Sequence, residues 1–256
     1  MELLPFQGTT SVFFRVKEGI VLKSPRTIST ESQNYEQLTN RIALEFHVER
    51  EILELLGSNP RIVKYHGWHK DTEGRQGLLL AKADETLEDY LQKGDVITPS
   101  ERKTLCRQTI QSIVYAHENG VIHSDLRPEN ILVSGGNIWL SDFGGSTCEK
   151  RGLDGGHLPD SGFWNPNSKW ESTPATDIFS LGSILYTIVT GHWPYKDGTT
   201  FKTLDEYRQY VDERFKDGHF PSVADLLAGE IIMGCWMGRY ETADDILRDF
   251  DLEIGE

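Results

Sequence analysis

With 256 residues, 38% of them apolar and 26% charged, the chain can bury a large core, which excludes a disordered polymer. Its 26 basic and 40 acidic residues give a formal charge of -14, so nucleic acid and anionic membrane surfaces would repel it. The three cysteines, at positions 106, 148 and 235, are far apart, which argues against a disulfide framework or a zinc site. No signal-like N-terminus or membrane-spanning stretch is present, so an intracellular protein, cytoplasmic or nuclear, is expected.

The first third of the chain has the pattern of a small sheet that carries one helix. Val, Phe, Ile and Thr alternate with turn residues over residues 1–22, which predicts three short strands. Apolar side chains recur at helical spacing over residues 35–56 and end at Gly57, so a long amphipathic helix is expected there. Residues 61–82 return to strand character in two runs that are separated by a polar turn.

Helical patterns dominate after a joint near residues 81–84. A short helix is predicted from Leu87, and Pro99 begins a long helix that Gly120 ends. Residues 144–172 are rich in Gly, Pro and Ser and predict a long irregular loop, and such loops in compact domains are usually functional or disordered.

The order of these elements predicts an α+β fold with two lobes in a single domain over residues 1–256. A small antiparallel-sheet N-lobe with one helix is expected over about residues 1–82. A larger, mainly helical C-lobe is expected over residues 83–256.

The clearest chemical signal is the segment His-Ser-Asp-Leu-Arg-Pro-Glu-Asn at residues 123–130, which a hairpin separates from Asp-Phe-Gly at residues 142–144. This spacing suits phosphoryl transfer. Asp125 beside an incoming hydroxyl can orient it and accept its proton, while Asn130 and Asp142 can hold Mg²⁺ against phosphates. Asp-Phe-Gly alone would be weak evidence, whereas the ordered pair of motifs is specific.

These motifs and their flanking segments resemble the protein kinase family, and the resemblance covers nearly the whole chain. The chain looks like one of the compact domains of this family that are common in fungi. The run Gly-Ile-Val-Leu-Lys that ends at Lys23 resembles the family's third strand, which implies that Lys23 neutralises charge on the α- and β-phosphates of ATP. Its partner would be Glu49 on the following helix, with Glu45, one turn away on the same face, as the alternative.

The resemblance also implies an ATP pocket and a support for the catalytic loop. The pocket would be lined by Gly8, Val12, Val21, Leu80, Ala81, Ala83 and Leu132. Asp177 would brace the backbone of the catalytic loop, although by itself it could equally be a carboxylate at a helix N-terminus. A stack of side chains would link the lobes through Leu53, Tyr65, His123 and Phe143.

The phosphate loop departs from the family pattern of Gly-x-Gly-x-x-Gly-x-Val. Residues 5–12 keep one glycine, Gly8, where the family uses glycines to let backbone N–H groups approach phosphates. The hydroxyls of Thr9, Thr10 and Ser11 are the candidates to replace those contacts.

The catalytic loop also departs from the family. Ser124 stands where the family has an arginine that grips a phosphorylated loop, so we expect a kinase that is not switched on that way. Replacing the loop hydroxyls of Ser146, Thr147 and Ser161 with Ala is therefore expected to leave activity largely intact. Arg127 stands where Ser/Thr kinases usually carry lysine, and it keeps positive charge near the transferring phosphoryl group.

The substrate-docking part of the loop differs too. Trp-Asn-Pro-Asn at residues 164–167 stands where the family has Ala-Pro-Glu. Asn167 cannot form the ion pair that the family's glutamate makes, so its candidate partner Arg239 is expected to find another partner or solvent.

The sequence thus predicts a protein kinase that transfers the γ-phosphate of Mg-ATP to a protein hydroxyl, with Ser/Thr preferred. The catalytic residues would be Asp125, Lys23, Glu49 and Arg127, and the metal ligands Asn130 and Asp142. ATP and Mg²⁺ are the expected cofactors, and a protein substrate the expected partner of a monomeric enzyme. Two alternatives remain: a pseudokinase scaffold, favoured by the one-glycine loop, and a small-molecule kinase on the same fold.

Overall fold

A computed structural model describes residues 1–93, 97–198 and 200–255. The N-terminal lobe is a five-stranded antiparallel sheet with the strand order β1-β2-β3-β5-β4. Its strands are β1 (Glu2–Gln7), β2 (Ser11–Lys17), β3 (Ile20–Pro25), β4 (Tyr65–Lys70) and β5 (Gln76–Ala81). The single helix of this lobe, α1 (Tyr35–Leu56), contacts β3, β4 and β5.

The C-terminal lobe is mainly helical. Its helices are α2 (Leu87–Gln92), α3 (Pro99–Glu118), α4 (Pro174–Thr190), α5 (Leu204–Lys216), α6 (Gly229–Trp236) and α7 (Ala243–Ile254). Its short strands are β6 (Glu85–Thr86), β7 (Ile131–Ser134), β8 (Asn137–Leu140), β9 (Thr147–Cys148) and β10 (Leu153–Asp154). Strands β6, β7 and β8 form one small sheet, and β9 pairs with β10.

Threonine caps fix where the long helices of this lobe begin. The Thr98 hydroxyl accepts the N–H of Glu101, and the Glu101 carboxylate accepts the N–H of Thr98, so α3 begins at Pro99. Thr242 and Asp245 form the same reciprocal pair at the start of α7. These caps satisfy N–H groups that the first helical turn would otherwise leave unpaired.

The buried core runs through both lobes. Its apolar side chains form one contiguous cluster that includes residues of α1 and β5 in the first lobe and of α3, α4 and α6 in the second. Helix α4 lies at the centre of the second lobe, since every residue from Thr176 to Ile188 is buried. Asp177 at its start is therefore held inside the lobe, beneath the segment that carries the predicted catalytic residues.

The expected α+β fold is confirmed, with one strand boundary corrected. Helix α1 covers the residues that the apolar spacing indicated. The prediction that a strand begins at residue 61 is wrong, because the chain there runs to the other lobe: Val63 N–H donates to the carbonyl of Leu140 at 2.9 Å. Within the described ranges, no helix has the length and apolar character needed to cross a bilayer.

Candidate active site

A buried lysine joins the two lobes at the cleft between them. Lys23 lies on β3, the middle strand of the sheet, and is 5% exposed. Its Nζ lies 2.6 Å from Glu49 Oε2 and 2.8 Å from Asp142 Oδ1. The structure thus selects Glu49, not Glu45, as the helix partner of Lys23, and adds a carboxylate from the second lobe.

The charges of these three groups do not balance. Burial disfavours the ammonium form of Lys23, but Asp142 and Glu49 outweigh this effect and raise its pKa. Burial raises the pKa of Glu49 to about 7, with Lys23 opposing the shift and Asp142 adding to it. Desolvation also opposes ionisation of Asp142, but Lys23 outweighs it and lowers the pKa of Asp142. One cation faces two carboxylates, so a further cation at this place would be stabilised.

Asp177 holds the backbone of the catalytic loop. Its Oδ2 accepts the N–H of His123 at 2.7 Å and a contact from His117 Nε2 at 2.9 Å, and its Oδ1 accepts the N–H of Ser124 at 2.9 Å. Ser124 has a φ of 68°, a left-handed conformation that costs free energy for a residue with a Cβ. The buried carboxylate therefore stabilises a loop conformation that would be unfavourable without it.

His123 and Phe143 connect the loop to the Asp-Phe-Gly segment. The His123 ring nitrogen Nε2 lies 2.9 Å from the carbonyl oxygen of Ser141, and the rings of His123 and Phe143 have centroids 5.0 Å apart. Asp142, between Ser141 and Phe143, has a left-handed φ of 62°. This turn directs the Asp142 carboxylate to Lys23 while Phe143 stays fully buried. Leu53 of the expected stack is also buried, and Tyr65 is partly buried against the core.

Asn130 orients the predicted base, Asp125. Its Nδ2 donates to the Asp125 carbonyl oxygen at 2.8 Å and to Asp125 Oδ2 at 3.0 Å. Burial raises the pKa of Asp125 to about 6, with His123 opposing the shift and Asp142 adding to it. Asp125 is therefore ionised at neutral pH and more basic than an ordinary aspartate, which suits a group that accepts a proton from a hydroxyl.

Arg127 is held by carboxylates on two sides. Its Nε and Nη2 donate to the two oxygens of Glu129 at 3.1 and 2.7 Å, and its Nη1 donates to Asp160 Oδ2 at 2.6 Å. Asp160 also lies 3.6 Å from Arg208 of α5. The catalytic loop is thus connected through Asp160 to the long irregular segment and to helix α5. The sequence pattern did not single out Asp160, because no motif marks its place in an irregular segment.

Comparison with known proteins decides the family. The family model described as a protein kinase domain matches residues 21–237 of the chain. The chain belongs to the protein kinase domain family.

Curated relatives of this kinase domain are longer proteins. The chain is 31% identical over 169 residues to NUAK family SNF1-like kinase 2 of Rattus norvegicus, a match that covers 62% of the chain and 26% of that protein. It is 29% identical over 213 residues to the serine/threonine-protein kinase PEPKR2 of Arabidopsis thaliana, covering 79% and 44%. With RAD53 of Saccharomyces cerevisiae, also a serine/threonine-protein kinase, it shares 28% over 174 residues, covering 59% and 21%. The chain thus spans less than half the length of each relative.

The residues predicted to surround the adenine ring of ATP come from both lobes of this kinase domain. Val21 pairs with Leu80 and both are buried, and Leu132 lies on β7. The remaining predicted lining residues are partly buried: Gly8, Val12, Ala81 and Ala83. The amides of Lys82 and Asp84 donate to the carbonyls of Gly19 and Val133, whereas the described residues supply no acceptor for the amide of Ala83. An adenine edge could accept from that amide.

The one-glycine phosphate loop closes on itself and on helix α1. Gly8 N–H donates to the carbonyl of Ser11 at 3.0 Å, and a Cβ at Gly8 would lie 2.5 Å from Ser11 Oγ. Ser11 is 3% exposed, and Thr10 acts on Glu45 of α1 and lowers the pKa of that carboxyl.

The segment after Asp-Phe-Gly contacts the rest of the domain through polar side chains. The hydroxyl of Ser124, which stands in place of the family's arginine, bonds that of Ser172. Asn167 donates from Nδ2 to the carbonyl of Lys216 at 2.9 Å. Arg239 is exposed and lies 3.6 Å from Glu230, so it makes a surface contact in place of the family's buried ion pair.

The loop hydroxyls are structural, which makes their replacement a stability test. The hydroxyl of Ser146 is buried and donates to the carbonyl of His123 at 2.9 Å, and that of Ser161 donates to Asp212 at 2.8 Å. We expect Ser146→Ala to lower the free energy of unfolding by about 1 kcal/mol.

Replacing Ser146, Thr147 and Ser161 together is expected to leave the phosphate-transfer rate largely intact. Urea unfolding and a transfer assay measure the two effects, and a large rate loss in a folded variant would contradict the second.

Proposed function

We propose that this domain is an active protein kinase, which transfers the γ-phosphate of Mg-ATP to a serine or threonine hydroxyl of a protein. The observation that carries the proposal is the contact of the Lys23 ammonium group with both Glu49 and Asp142, at 2.6 and 2.8 Å. It requires helix α1 and the Asp-Phe-Gly segment to face the cleft together, which is the arrangement that phosphoryl transfer in this family needs.

The donor set at the cleft fits Mg²⁺. Asn130 uses Nδ2 for both of its bonds to Asp125, which leaves its amide oxygen for a cation. The Asp142 side chain is half exposed and bonds Lys23 through Oδ1, so Oδ2 is the second donor. In the described ranges no group of three or more His, Cys, Asp or Glu could hold a metal, but Mg²⁺ usually takes one or two protein ligands and completes its shell with phosphates and water. Asn130 and Asp142 would hold Mg²⁺, which supplies charge neutralisation at the phosphates.

The roles of the chain's own residues follow from their contacts. Asp125, oriented by Asn130 and ionised at neutral pH, accepts the proton of the substrate hydroxyl. Lys23, fixed by Glu49, neutralises charge on the α- and β-phosphates of ATP. Arg127 keeps positive charge near Asp125, and its bonds to Glu129 and Asp160 connect that charge to the substrate-docking side. We propose that residues 1–256 act as one monomeric, intracellular domain on a protein substrate.

The main alternative is a pseudokinase, a scaffold that binds nucleotide or partners without useful turnover. One observation favours it: the phosphate loop keeps a single glycine in residues 5–12. A small-molecule kinase on the same fold is the other alternative. A panel of small alcohols as acceptors separates it from a kinase that acts on proteins.

The test is the transfer of labelled γ-phosphate from Mg-ATP to a generic basic protein. Wild type is expected to label the protein, and Asp142→Asn is expected to reduce the rate about 100-fold or more, since it removes a metal ligand. Asp244→Asn, an exposed aspartate paired with Arg248 on α7, is the matched control and should keep the wild-type rate. No labelling by wild type, together with a shift of its melting temperature by nucleotide, would favour the pseudokinase.

A further inference from the structure

Glu45 is a buried carboxylate that connects helix α1 to the segment after Asp-Phe-Gly. It lies one helical turn before Glu49 on α1 and is 6% exposed. Its Oε1 lies 2.9 Å from Nε2 of His157, in the segment after Asp-Phe-Gly, and accepts from Nε of Arg41 on its own helix at 2.8 Å. Thr10 of the phosphate loop also acts on this carboxyl and lowers its pKa.

Three glycines press this segment against α1. A Cβ at Gly144 would lie 3.2 Å from Glu45 Cβ, and one at Gly145 would lie 2.5 Å from His157 Cβ. A Cβ at Gly155 would lie 2.2 Å from the carbonyl oxygen of Gly144. A Cβ at Gly145 or Gly155 would collide and one at Gly144 would be tight, so the close contact between α1, Glu45 and His157 is favoured by glycine at these places.

We propose that Glu45 and His157 are positioning residues, which hold helix α1 where Glu49 meets Lys23 without a phosphoryl group on the segment. The inference rests on the proposed kinase activity for its catalytic meaning, but the contact itself stands on the geometry above. Glu45 and Glu49 are on the same face of one rigid helix, so a segment that fixes Glu45 also fixes Glu49. Ser124 offers no guanidinium to bind a phosphoryl group. The His157–Glu45 contact connects the segment to α1 without one.

The charges around His157 make its hydrogen bond to Glu45 depend on pH. Its ring faces Glu45 and Arg41 of α1 in the first lobe, and the carboxylates of Asp125 and Asp142 act on it from within its own lobe. The bond to Glu45 raises the pKa of His157, against the opposing effect of burial. Burial disfavours the ionised form of Glu45, but His157, Arg41 and Thr10 outweigh this effect and lower the pKa of Glu45. Protonated His157 donates to Glu45. The neutral ring can instead accept from Arg41 Nη2, which lies 2.6 Å from Nε2. The His157–Glu45 hydrogen bond is therefore fully formed below the pKa of His157, and it weakens as pH rises through that pKa.

The test uses the phosphatase-treated chain and compares Glu45→Gln, His157→Ala and His157→Gln with wild type. Glu54→Gln is the matched control for Glu45, because Glu54 on the same helix accepts from Arg50 four residues earlier, at 2.9 Å, on an exposed surface. The first readout is backbone hydrogen exchange of residues 35–56, which does not depend on activity. The second is the rate of phosphate transfer as a function of pH.

We expect Glu45→Gln and His157→Ala to exchange faster over residues 35–56 and to lose about tenfold or more in transfer rate. Glu54→Gln should match wild type in both. His157→Gln keeps a neutral donor, so it should recover part of the rate and lose the decline of wild type at alkaline pH. Wild-type exchange over α1 in Glu45→Gln and His157→Ala would overturn the proposal, as would loss of wild-type activity on phosphatase treatment. Faster exchange with no transfer by any chain would support the positioning contact and overturn the proposed activity instead.

Discussion

Asp177→Asn is expected to lower the free energy of unfolding by about 3 kcal/mol or more. The carboxylate is fully buried and receives donors from His123, Ser124 and His117, two of them backbone amides. An asparagine keeps one acceptor oxygen and turns an NH₂ group towards a donor, which leaves a buried amide unpaired. The left-handed backbone of Ser124 also loses the bond that stabilises it. Urea unfolding followed by circular dichroism measures the change.

The control for this prediction is Asp205→Asn. Asp205, like Asp177, lies in the first turn of a helix, but it is exposed and pairs with the surface residue Arg208 at 3.3 Å. If Asp177 acted solely through the helix dipole, both variants would lose a similar fraction of a kcal/mol. A small and equal loss in both would therefore contradict the bracing role.

Asp125→Asn is expected to lower kcat by about 10²- to 10⁴-fold, because it removes the group that accepts the hydroxyl proton. Nucleotide should still shift the melting temperature, since Lys23 and Glu49 remain. Burial raises the pKa of Asp125 to about 6, so wild-type kcat/KM should fall as pH drops through that value and the base becomes protonated. Steady-state rates from pH 5 to 8 test the profile.

Asp205→Asn again serves as the control and should keep both the rate and the acid limb of the profile. An Asp125→Asn variant that retained wild-type kcat would remove Asp125 from the chemistry. A wild-type profile that stayed flat through pH 6 would show that another group limits the rate.

The proximity of Asp125, Asn130 and Asp142 was predictable from sequence because these residues lie at fixed distances within two motifs. They share one loop and one hairpin, so their local spacing favours bringing them together. Lys23 is far from them in sequence, and its contact with the following helix was implied by the resemblance of its strand to the third strand of protein kinases.

Other features depended on tertiary contacts that no local pattern encodes. Glu45 and Glu49 are equivalent by helical spacing, and the position of the sheet decides which one meets Lys23. His157 and Asp160 lie in an irregular segment, where neither a periodic apolar pattern nor a motif predicts which way a side chain points. The residues before β4 resembled a strand because they are apolar. In the structure they bond to the second lobe instead.

The uninterrupted apolar core of the two lobes bears on how the chain folds. Neither lobe encloses its hydrophobic residues alone, since those of α1 belong to the same buried cluster as those of α3 and α4. A fragment that ended at the joint would expose that face of the helix and would lack Asp142, the partner of Lys23 from the other lobe. The buried core around α1 is thus completed by sequence that emerges later during synthesis. Cooperative unfolding, with both lobes melting as one unit, is the behaviour that this architecture favours.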